Sequence, residues 1–384
     1  MSRVIVDNKS FSLSEWYQQI NHQLTHGLRA EDNKKRERLE VLFKTIGLRY
    51  DRPDKFAAET VARRQPEFLT YLKKNKNRFC AFRLVPQDAA LPKLRMRGKT
   101  VSEALKWLDG QSVDFSKYNL EIVPHSEVTL WASIFMIQPQ GIIGEIVQGG
   151  LNLLSMGQAT TRPIFFKSDF KRWHFSEKNQ AVAKIVQRAT AHLLVKDRAI
   201  QQKLKRALKA KFINDYLAGY FEFFIPHQPH RGGAGRVWPD KKICFSDYNR
   251  LLPALVKLDD FILLAGHHGL SGVCAFRGRV RGKVRSVKLV EIGKSKFSAG
   301  DILVCEETSP DYLPLMKRAG AIITDRGGLL SHAAIIAREL KIPCIVGTVN
   351  ATKILKDDET IVIDADLSVY SSGAGGSAFG EKVW

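Results

Sequence analysis

The sequence predicts a multidomain protein of the α/β and α+β classes. Its 384 residues exceed the usual size of one domain and suggest two or three. Hydrophobic residues make up 44% and charged residues 26% of the chain, which is ordinary globular composition and excludes a largely disordered protein. Strand-like apolar runs and amphipathic helical stretches both occur, so we expect sheets and helices together.

Several classes of protein are excluded by simple patterns. No apolar run approaches the roughly 20 residues of a membrane span, and the first residues lack the apolar core of a secretion signal. The five cysteines are scattered and form no CxxC pair, which argues against a zinc site or a disulfide framework. We therefore expect a cytoplasmic protein with free thiols.

Positive charge is concentrated in the first two-thirds of the chain. The formal net charge is +21, and residues 1–265 contribute +18 of it. Such a charge favours a polyanionic partner, which includes nucleotides, nucleic acids and anionic surfaces.

The first 75 residues carry helical patterns. The capping-box pattern Ser12–Glu15 opens one helix that Gly27 can close, and two more are predicted over about 31–46 and 56–72. The hydrophobic pattern then changes and predicts a strand at Phe79–Val85, followed by a short helix at Val101–Leu108.

Strands and one long helical region occupy the middle of the chain. A Pro/Gly turn joins two predicted strands, and a helical region, two further strands and a last helix follow. These elements are the strands Val128–Ile137 and Ile142–Val147, the helical region Asn179–Phe212, the strands Tyr220–Ile225 and Lys242–Phe245, and the helix Leu251–Leu264.

The most informative stretch is Thr324–Leu340. A buried strand is predicted at Ala319–Ile323 and a helix at Ala333–Leu340, so a Gly-Gly turn presents Ser331 and His332 where the helix begins. Adjacent glycines and a helix N-terminus both direct backbone N–H groups at an anion. A neutral imidazole is nucleophilic, so a histidine at this place can accept a phosphoryl group.

This stretch resembles the phosphohistidine swivelling domain of the phosphoenolpyruvate-utilising enzymes, the family of phosphoenolpyruvate synthase, pyruvate phosphate dikinase and rifampin phosphotransferase. Segments on both sides are also similar to that domain: Gly300–Val304 with Thr308 and Pro310 before the motif, and Ile342–Thr348 after it. The resemblance implies a β/β/α domain in which His332 carries the phosphoryl group. It implies further site residues around the histidine, which are Thr324, Gly327, Gly328, Ser331 and Arg338.

A weaker resemblance links residues 79–250 to the ATP-grasp nucleotide-binding module. Gly219–Phe223 and Phe245–Asn249 look like its final hairpin, although the expected Gly-rich nucleotide loop is not evident. The resemblance implies Mg²⁺ ligands at Glu222, Asp247 and Asn249, and nucleotide contacts from Arg83, Lys93, Arg95 and Glu145. A glutamate on a strand is also often only a solvated side chain.

The predicted organisation is a helical segment, a partial nucleotide-binding region, a hinge, a carrier domain and a flexible tail. Glycines in Ala265–Gly269 and a fall in charge mark the hinge. The corresponding ranges are 1–76, 77–258, 259–271, 272–370 and 371–384.

Two functions remain open from the sequence. The first is an ATP-dependent, dikinase-like phosphotransferase that uses Mg²⁺ and passes a phosphoryl group through His332 to a small molecule or a protein. The second is a catalytically inactive or regulatory protein whose basic region contacts nucleic acid or a protein partner. Under the second hypothesis, the basic helix over 181–212 contacts the partner. Solvated surface charge is the simpler explanation of that helix. No membrane partner is expected.

Overall fold

The computed structural model divides the chain into two compact units, each with helices and sheet, and the mixed α/β class is confirmed. The N-terminal unit comprises described residues of 29–151 and 166–255, and the C-terminal unit those of 1–28, 152–165 and 256–384. The residues that the structure describes are 17–18, 20, 22–88, 91–125, 128–151, 154, 163–226, 243–255, 272–328, 331–365 and 369–372. Among these, no helix combines the length and apolarity needed to cross a bilayer.

Seven α-helices of the first 255 residues are described over their full length. They are α1 Thr25–Asn33, α2 Lys35–Ile46, α3 Ala58–Ala62, α4 Pro66–Asn75, α5 Val101–Asp109, α6 Gln180–Ala191 and α7 Arg198–Leu208. The start of α5 shows how sequence fixes an element. Thr100 and Glu103 form a reciprocal capping box that satisfies two backbone N–H groups at the helix start.

An antiparallel sheet of four strands forms the first layer of the N-terminal unit. Its order is β1-β4-β2-β3, with β1 Asp54–Ala57, β2 Phe79–Pro86, β3 Leu94–Thr100 and β4 Tyr118–Pro124. Apolar side chains of α3, α4 and α5 pack against it in a core that includes Phe68, Phe82, Leu105 and Ile122. Burial of this face holds the layer together.

A second sheet has seven strands in the order β11-β10-β5-β6-β7-β8, with β9 paired to β10. The strands are β5 Thr129–Gln138, β6 Gly141–Gln148, β7 Ile164–Ser168, β8 Trp173–Phe175, β9 Lys211–Ile213, β10 Tyr216–Pro226 and β11 Cys244–Asn249. Aromatic rings pack on one face, with the Phe135 and Phe221 ring centroids 5.3 Å apart and Phe223 and Phe245 beside them. The opposite side of these strands carries the polar residues described below.

The C-terminal unit contains a mixed sheet with a parallel centre. Its order is β12-β16-β15-β14-β13-β17-β18, and the pairs from β13 to β16 are parallel. The strands are β12 Val273–Phe276, β13 Arg279–Ser286, β14 Ile302–Cys305, β15 Ala321–Thr324, β16 Cys344–Val346, β17 Thr360–Asp364 and β18 Val369–Ser372. Its helices are α8 Leu313–Met316, α9 His332–Leu340 and α10 Ala351–Ile354, and α9 packs against β12, β15 and β16.

The predicted helical segment over 1–76 is wrong in part. Phe56 lies on β1, which pairs with β4, so residues from 29 onward share the N-terminal unit with the first sheet. The helix expected over 31–46 is two helices separated at Lys34, and Gly27 lies inside α1 without ending it. The capping pattern Ser12–Glu15 lies outside the described residues.

The single helical region predicted over 179–212 is also wrong, because it is two helices and a strand. The Asp197 carboxylate accepts hydrogen bonds from the backbone of Ala199 at 2.7 Å and Ile200 at 3.2 Å, which starts a new helix. Before it, Val195 N–H donates to the Asp215 carbonyl at 2.8 Å, so the chain joins β-type pairing between α6 and α7.

The carrier domain predicted over 272–370 is larger in the structure. Tyr17 is only 2% exposed, and His22 Nε2 lies 3.3 Å from a carboxylate oxygen of Glu339 on α9, so residues near the N-terminus belong to this unit. Ser371 and Ser372, assigned to the tail, pair with β17 as part of β18. The predicted hinge 259–271 and the rest of the tail lie outside the described residues.

Gly144 on β6 allows the strands of the second sheet to carry large aromatic residues. A Cβ atom there would lie 2.6 Å from both the Ile134 carbonyl oxygen and Phe166 Cζ, and would also clash with Phe135. The neighbouring residue is Glu145, which is fully buried. A glycine at 144 therefore helps to set the position of that carboxylate.

We predict that Gly144→Ala lowers the free energy of unfolding by about 1–3 kcal/mol, because overpacking forces neighbours off their rotamers. Urea unfolding followed by circular dichroism measures the change. Gly110→Ala is the matched control, since the nearest atom to its Cβ would be 3.5 Å away. Equal stability of the two variants would contradict the close approach at Gly144.

Candidate functional sites

His332 opens helix α9, and its neighbours fix the start of the helix. The N-cap is Ser331, whose Oγ accepts a hydrogen bond from the Ala334 backbone N–H at 3.4 Å. The first amides of a helix have no intrahelical acceptor, and the helix dipole adds positive potential at this end. The imidazole is therefore attached where an anion is stabilised.

Gly327 allows a close approach to Ser331 that a larger residue would prevent. Gly327 has φ +111°, and a Cβ there would lie 2.8 Å from Ser331 Oγ. The carbonyl of Gly328 accepts the Ser331 backbone N–H at 3.1 Å. The predicted grouping of these three residues beside His332 is present in the structure.

The imidazole of His332 is buried and oriented by a threonine. The residue is 4% exposed, and its Nδ1 lies 2.8 Å from Thr308 Oγ1. Burial lowers the pKa of His332 to about 4, and the charge of Asp311 opposes that shift only partly. The ring is therefore neutral at pH 7, with a lone pair on one nitrogen. Thr308 lies in the segment that precedes the motif, and no role was predicted for it from the sequence.

Two other predicted site residues hold the backbone together. Arg338, six residues beyond His332 on α9, donates from Nε to the Ala275 carbonyl at 3.0 Å. Thr324 is fully buried and donates from Oγ1 to the Arg326 carbonyl at 2.6 Å. These bonds connect α9 to β12 and close the turn after β15, and the catalytic roles expected of the two residues stay predictions.

Three carboxylates share one row across the second sheet. The register pairs Glu145 with Ile134, Ile134 with Glu222, and Glu222 with Asp247. Residues directly opposite each other in a sheet point to the same face. The row therefore places these acids, from β6, β10 and β11, on one side of the sheet.

The two neighbouring carboxylates of this row are anchored differently. Tyr220 donates to Glu222 Oε1 at 2.5 Å, and Ser246 donates to Oε2 at 3.2 Å. Asp247 Oδ2 accepts from Lys35 Nζ at 3.0 Å, while Oδ1 is buried with no hydrogen-bond partner among the described residues. Burial, together with the charges of Glu222, Asp247 and Glu145, raises the pKa of Tyr220 well above its ordinary value, so it stays protonated and donates.

Asn249 caps the backbone after β11, and its predicted contact with a metal stays a prediction. Its Oδ1 accepts the backbone N–H groups of Leu251 at 2.9 Å and Leu252 at 3.1 Å. This is a side-chain cap on the turn that follows β11. The structure therefore uses the oxygen that the sequence analysis assigned to a metal.

The predicted basic residues lie close to these acids through a chain of ion pairs. Lys93 Nζ lies 2.9 Å from Asp32, and Lys35 Nζ lies 3.4 Å from Asp32 and 3.0 Å from Asp247. Burial alone would raise the pKa of Asp32, but Lys93, Lys35 and Arg83 hold it well below its usual range. Burial lowers the pKa of Lys93 to about 8, against the opposing charge of Asp32. Asp32 and Lys35 were not predicted as site residues, because charged residues in a helical pattern usually lie on a solvated face of the helix.

Arg83 is a buried cation in the same region. It is 8% exposed on β2, and the register places it between Arg95 of β3 and Glu121 of β4. Its Nε and one Nη atom have no hydrogen-bond partner among the residues that the structure describes. Buried guanidinium groups are normally paired, so this one is suited to an anion.

The carboxylates fit Mg²⁺ only together with further ligands. Within the described ranges, no cluster of three or more His, Cys, Asp or Glu side chains is arranged to hold a metal ion. Mg²⁺ bound with nucleotides commonly takes one or two carboxylates and completes its shell with phosphate oxygens and water. The buried, unpartnered Asp247 Oδ1 beside Glu222 is consistent with that smaller contribution.

Comparison with known proteins assigns the C-terminal region. Residues 297–367 match the family model of the PEP-utilising enzyme mobile domain. Phosphoenolpyruvate synthase of Aeropyrum pernix is 48% identical over 103 residues, which is 27% of this chain and 13% of that protein. A probable phosphoenolpyruvate synthase of Archaeoglobus fulgidus is 46% identical over 104 residues, again 27% of this chain and 14% of that protein.

These matches cover a small part of each relative, about one-seventh of its length or less. The D-alanine-D-alanine ligase of Coxiella burnetii aligns in structure over 62% of this chain and 56% of its own, at 8% identity and a TM-score of 0.29. The sequence matches confirm the resemblance drawn from the Gly-Gly-Ser-His motif. Residues 297–367 are therefore similar to the mobile domain of the phosphoenolpyruvate-utilising enzymes.

Proposed function

We propose that this protein is an ATP-dependent phosphotransferase in which His332 carries the phosphoryl group. The observation that carries the proposal is the buried, neutral imidazole at the start of α9, with Nδ1 2.8 Å from Thr308. An imidazole held in this way is a nucleophile that needs no deprotonation at pH 7. The mobile domain over 297–367 supports the same chemistry.

In the proposed transfer, Nδ1 carries the ring proton and donates it to Thr308 Oγ1. The lone pair on Nε2 then forms the bond to phosphorus, and the bond from phosphorus to the nucleotide oxygen breaks with its electron pair on that oxygen. Ser331 caps the N-terminus of α9. The backbone N–H groups and the dipole at this end of the helix would stabilise the transferred anion. Transfer to the acceptor reverses these events and regenerates neutral His332.

We place the ATP site in the N-terminal unit, beside the ion pairs that link Lys93, Asp32, Lys35 and Asp247. Arg83, Lys93 and Arg95 would bind phosphate oxygens, and Glu145 would lie at the far end of the carboxylate row. Glu222 and Asp247 would hold Mg²⁺, which when bound supplies charge neutralisation on the nucleotide phosphates. The protein's own contribution is to orient the nucleotide and exclude water.

We propose that the acceptor is a small molecule or a protein. The family resemblance implies a carrier that moves between donor and acceptor. A reactive phosphoryl group must be shielded from water at both sites, which favours a moving carrier over one shared site.

We predict that His332→Ala abolishes labelling by radioactive ATP. The full chain incubated with Mg²⁺ and ATP labelled at the β or γ position should acquire an acid-labile, base-stable adduct, and the variant should fall to background. His174→Ala is the control, because His174 is exposed on β8. A His332→Ala protein that labels as strongly as the unaltered protein would refute the carrier assignment.

We predict that Glu222→Gln keeps the fold and weakens Mg²⁺-dependent ATP binding about tenfold or more, since a tenfold change corresponds to about 1.4 kcal/mol and charged contacts contribute about that amount. Calorimetry with and without Mg²⁺ measures it. Glu177→Gln removes the same charge from an exposed position and should leave the affinity unchanged. If Glu222→Gln and Glu177→Gln bind ATP with equal affinity in the presence of Mg²⁺, Glu222 is not a ligand of the metal.

A further inference from the structure

A strongly basic surface lies in the N-terminal unit, and the proposed phosphotransfer makes no use of it. Between residues 167 and 211 there are thirteen Lys and Arg residues against three Asp and Glu residues. All thirteen are exposed. We call them the basic face: Lys167, Lys171, Arg172, Lys178, Lys184, Arg188, Lys196, Arg198, Lys203, Lys205, Arg206, Lys209 and Lys211.

The positive charge of the basic face is almost entirely uncompensated. Among the described residues, Arg198 is the one member with an ion pair, at 2.7 Å to Asp215. Asp197 caps α7, and Asp169 accepts backbone N–H groups, so both are used locally. Soluble surfaces usually intersperse charges of both signs. Twelve exposed cations without an acidic partner therefore favour an external polyanion.

Tyr216 brings three segments of the basic face together. Its backbone forms a β-bridge with Leu194, two residues before Lys196. Its ring lies 5.7 Å from that of Phe170 in the turn after β7. The residue before it, Asp215, pairs with Arg198 at the start of α7. The cations of the turn, of the α6–α7 connection and of α7 thus lie on neighbouring elements.

The turn after β7 is built to display two of these cations. Asp169 Oδ1 accepts the backbone N–H groups of Lys171 at 2.9 Å and Arg172 at 2.7 Å. Phe170, which lies between Asp169 and Lys171, has φ +71°, a conformation that a bulky side chain rarely adopts. The backbone is therefore held in an unfavourable conformation at a place that serves no part of the proposed transfer site.

Helix α7 adds exposed cations to the basic face, and one of them lies near an aromatic ring. Leu204 and Leu208 are buried, while Lys203, Lys205 and Arg206 project from the exposed side. Lys205 Nζ lies 6.0 Å from the centre of the Phe212 ring. Aromatic rings beside cations offer stacking to unpaired bases as well as charge to phosphates.

We propose that the basic face binds a single strand of nucleic acid, mainly through its phosphates. The eleven residues of α7 extend about 16 Å, enough for several successive phosphates. An anionic membrane fits less well, because peripheral helices insert large apolar side chains. The large hydrophobic residues that are exposed in the described chain, Leu69, Val128, Leu289, Val290 and Val349, all lie outside 167–211.

The test is fluorescence anisotropy of the full chain with a labelled RNA strand of about 20 nucleotides, at about 50 and 200 mM salt. The variant replaces Lys203, Lys205 and Arg206 with Gln. A matched control replaces Lys73, Lys74 and Lys76 with Gln, three exposed residues at the end of α4. Both remove three charges, so only the position differs.

We expect the α7 variant to bind at least tenfold more weakly and the control to stay within about twofold. The slope of log affinity against log salt should fall by about 2 in the α7 variant, since each lost phosphate contact to a single strand contributes about 0.7. Single-stranded DNA of the same sequence has the same phosphates but a different sugar. Equal binding of DNA and RNA indicates recognition of the phosphates, and a preference for RNA indicates that the sugar is recognised as well; both results support the proposal.

Three results would overturn the proposal. They are the absence of RNA binding at the lower salt, an equal loss in the α4 control, and tighter binding to duplex RNA or to phosphatidylserine vesicles than to the single strand. Circular dichroism of both variants ensures that any loss is not caused by unfolding. His332 labelling by ATP is measured in parallel and should be unaffected, which separates this surface from the phosphotransfer site.

Discussion

The hydrogen bond between Thr308 Oγ1 and His332 Nδ1 fixes the group on which the proposed chemistry depends. A buried imidazole without a partner on its ring would be free to rotate, and its nucleophilic atom would have no defined direction. With Nδ1 engaged, Nε2 is the nitrogen assigned to the phosphoryl group. The glycines at 327 and 328 and the cap at Ser331 then place that ring at the positive end of α9.

Burial and charge act differently in the two units. Around His332, burial keeps a base neutral and therefore reactive. In the N-terminal unit, acids and bases alternate in a chain of ion pairs that runs from Lys93 through Asp32 and Lys35 to Asp247. Arg83 and Asp247 Oδ1 retain buried polar atoms without described hydrogen-bond partners. Buried polar atoms without hydrogen bonds destabilise the folded protein unless a ligand bonds to them. These atoms of Arg83 and Asp247 therefore support the proposed ATP site.

The sequence predicted those features that depend on neighbouring residues. The strand, glycine turn, serine cap and helix around His332 follow from local chemistry, and the structure has them within two residues. Glu222 and Asp247 also lie opposite each other on β10 and β11, as the hairpin pattern implied. Asp197 could have been read as a helix cap, which would have divided the region over 179–212.

Features that depend on distant residues were missed. Thr308 is 24 residues from His332, and Lys35 is 212 residues from Asp247, so no local pattern announces either contact. Arg338 belongs to the motif, yet its guanidinium bonds the backbone of β12, because a motif records positions and not the direction of a side chain. Asn249 was assigned by residue type, whereas its oxygen serves the following turn.

The position of the phosphoryl group on the imidazole tests this account most directly. The protein is phosphorylated with Mg²⁺ and ATP and hydrolysed in alkali, and the phosphohistidine isomers are separated by chromatography. ³¹P–¹⁵N NMR of the intact protein provides an independent assignment. Because Nδ1 bonds Thr308, the account predicts that the phosphoryl group is on Nε2 of His332. Phosphate on Nδ1, or on another residue, would contradict it.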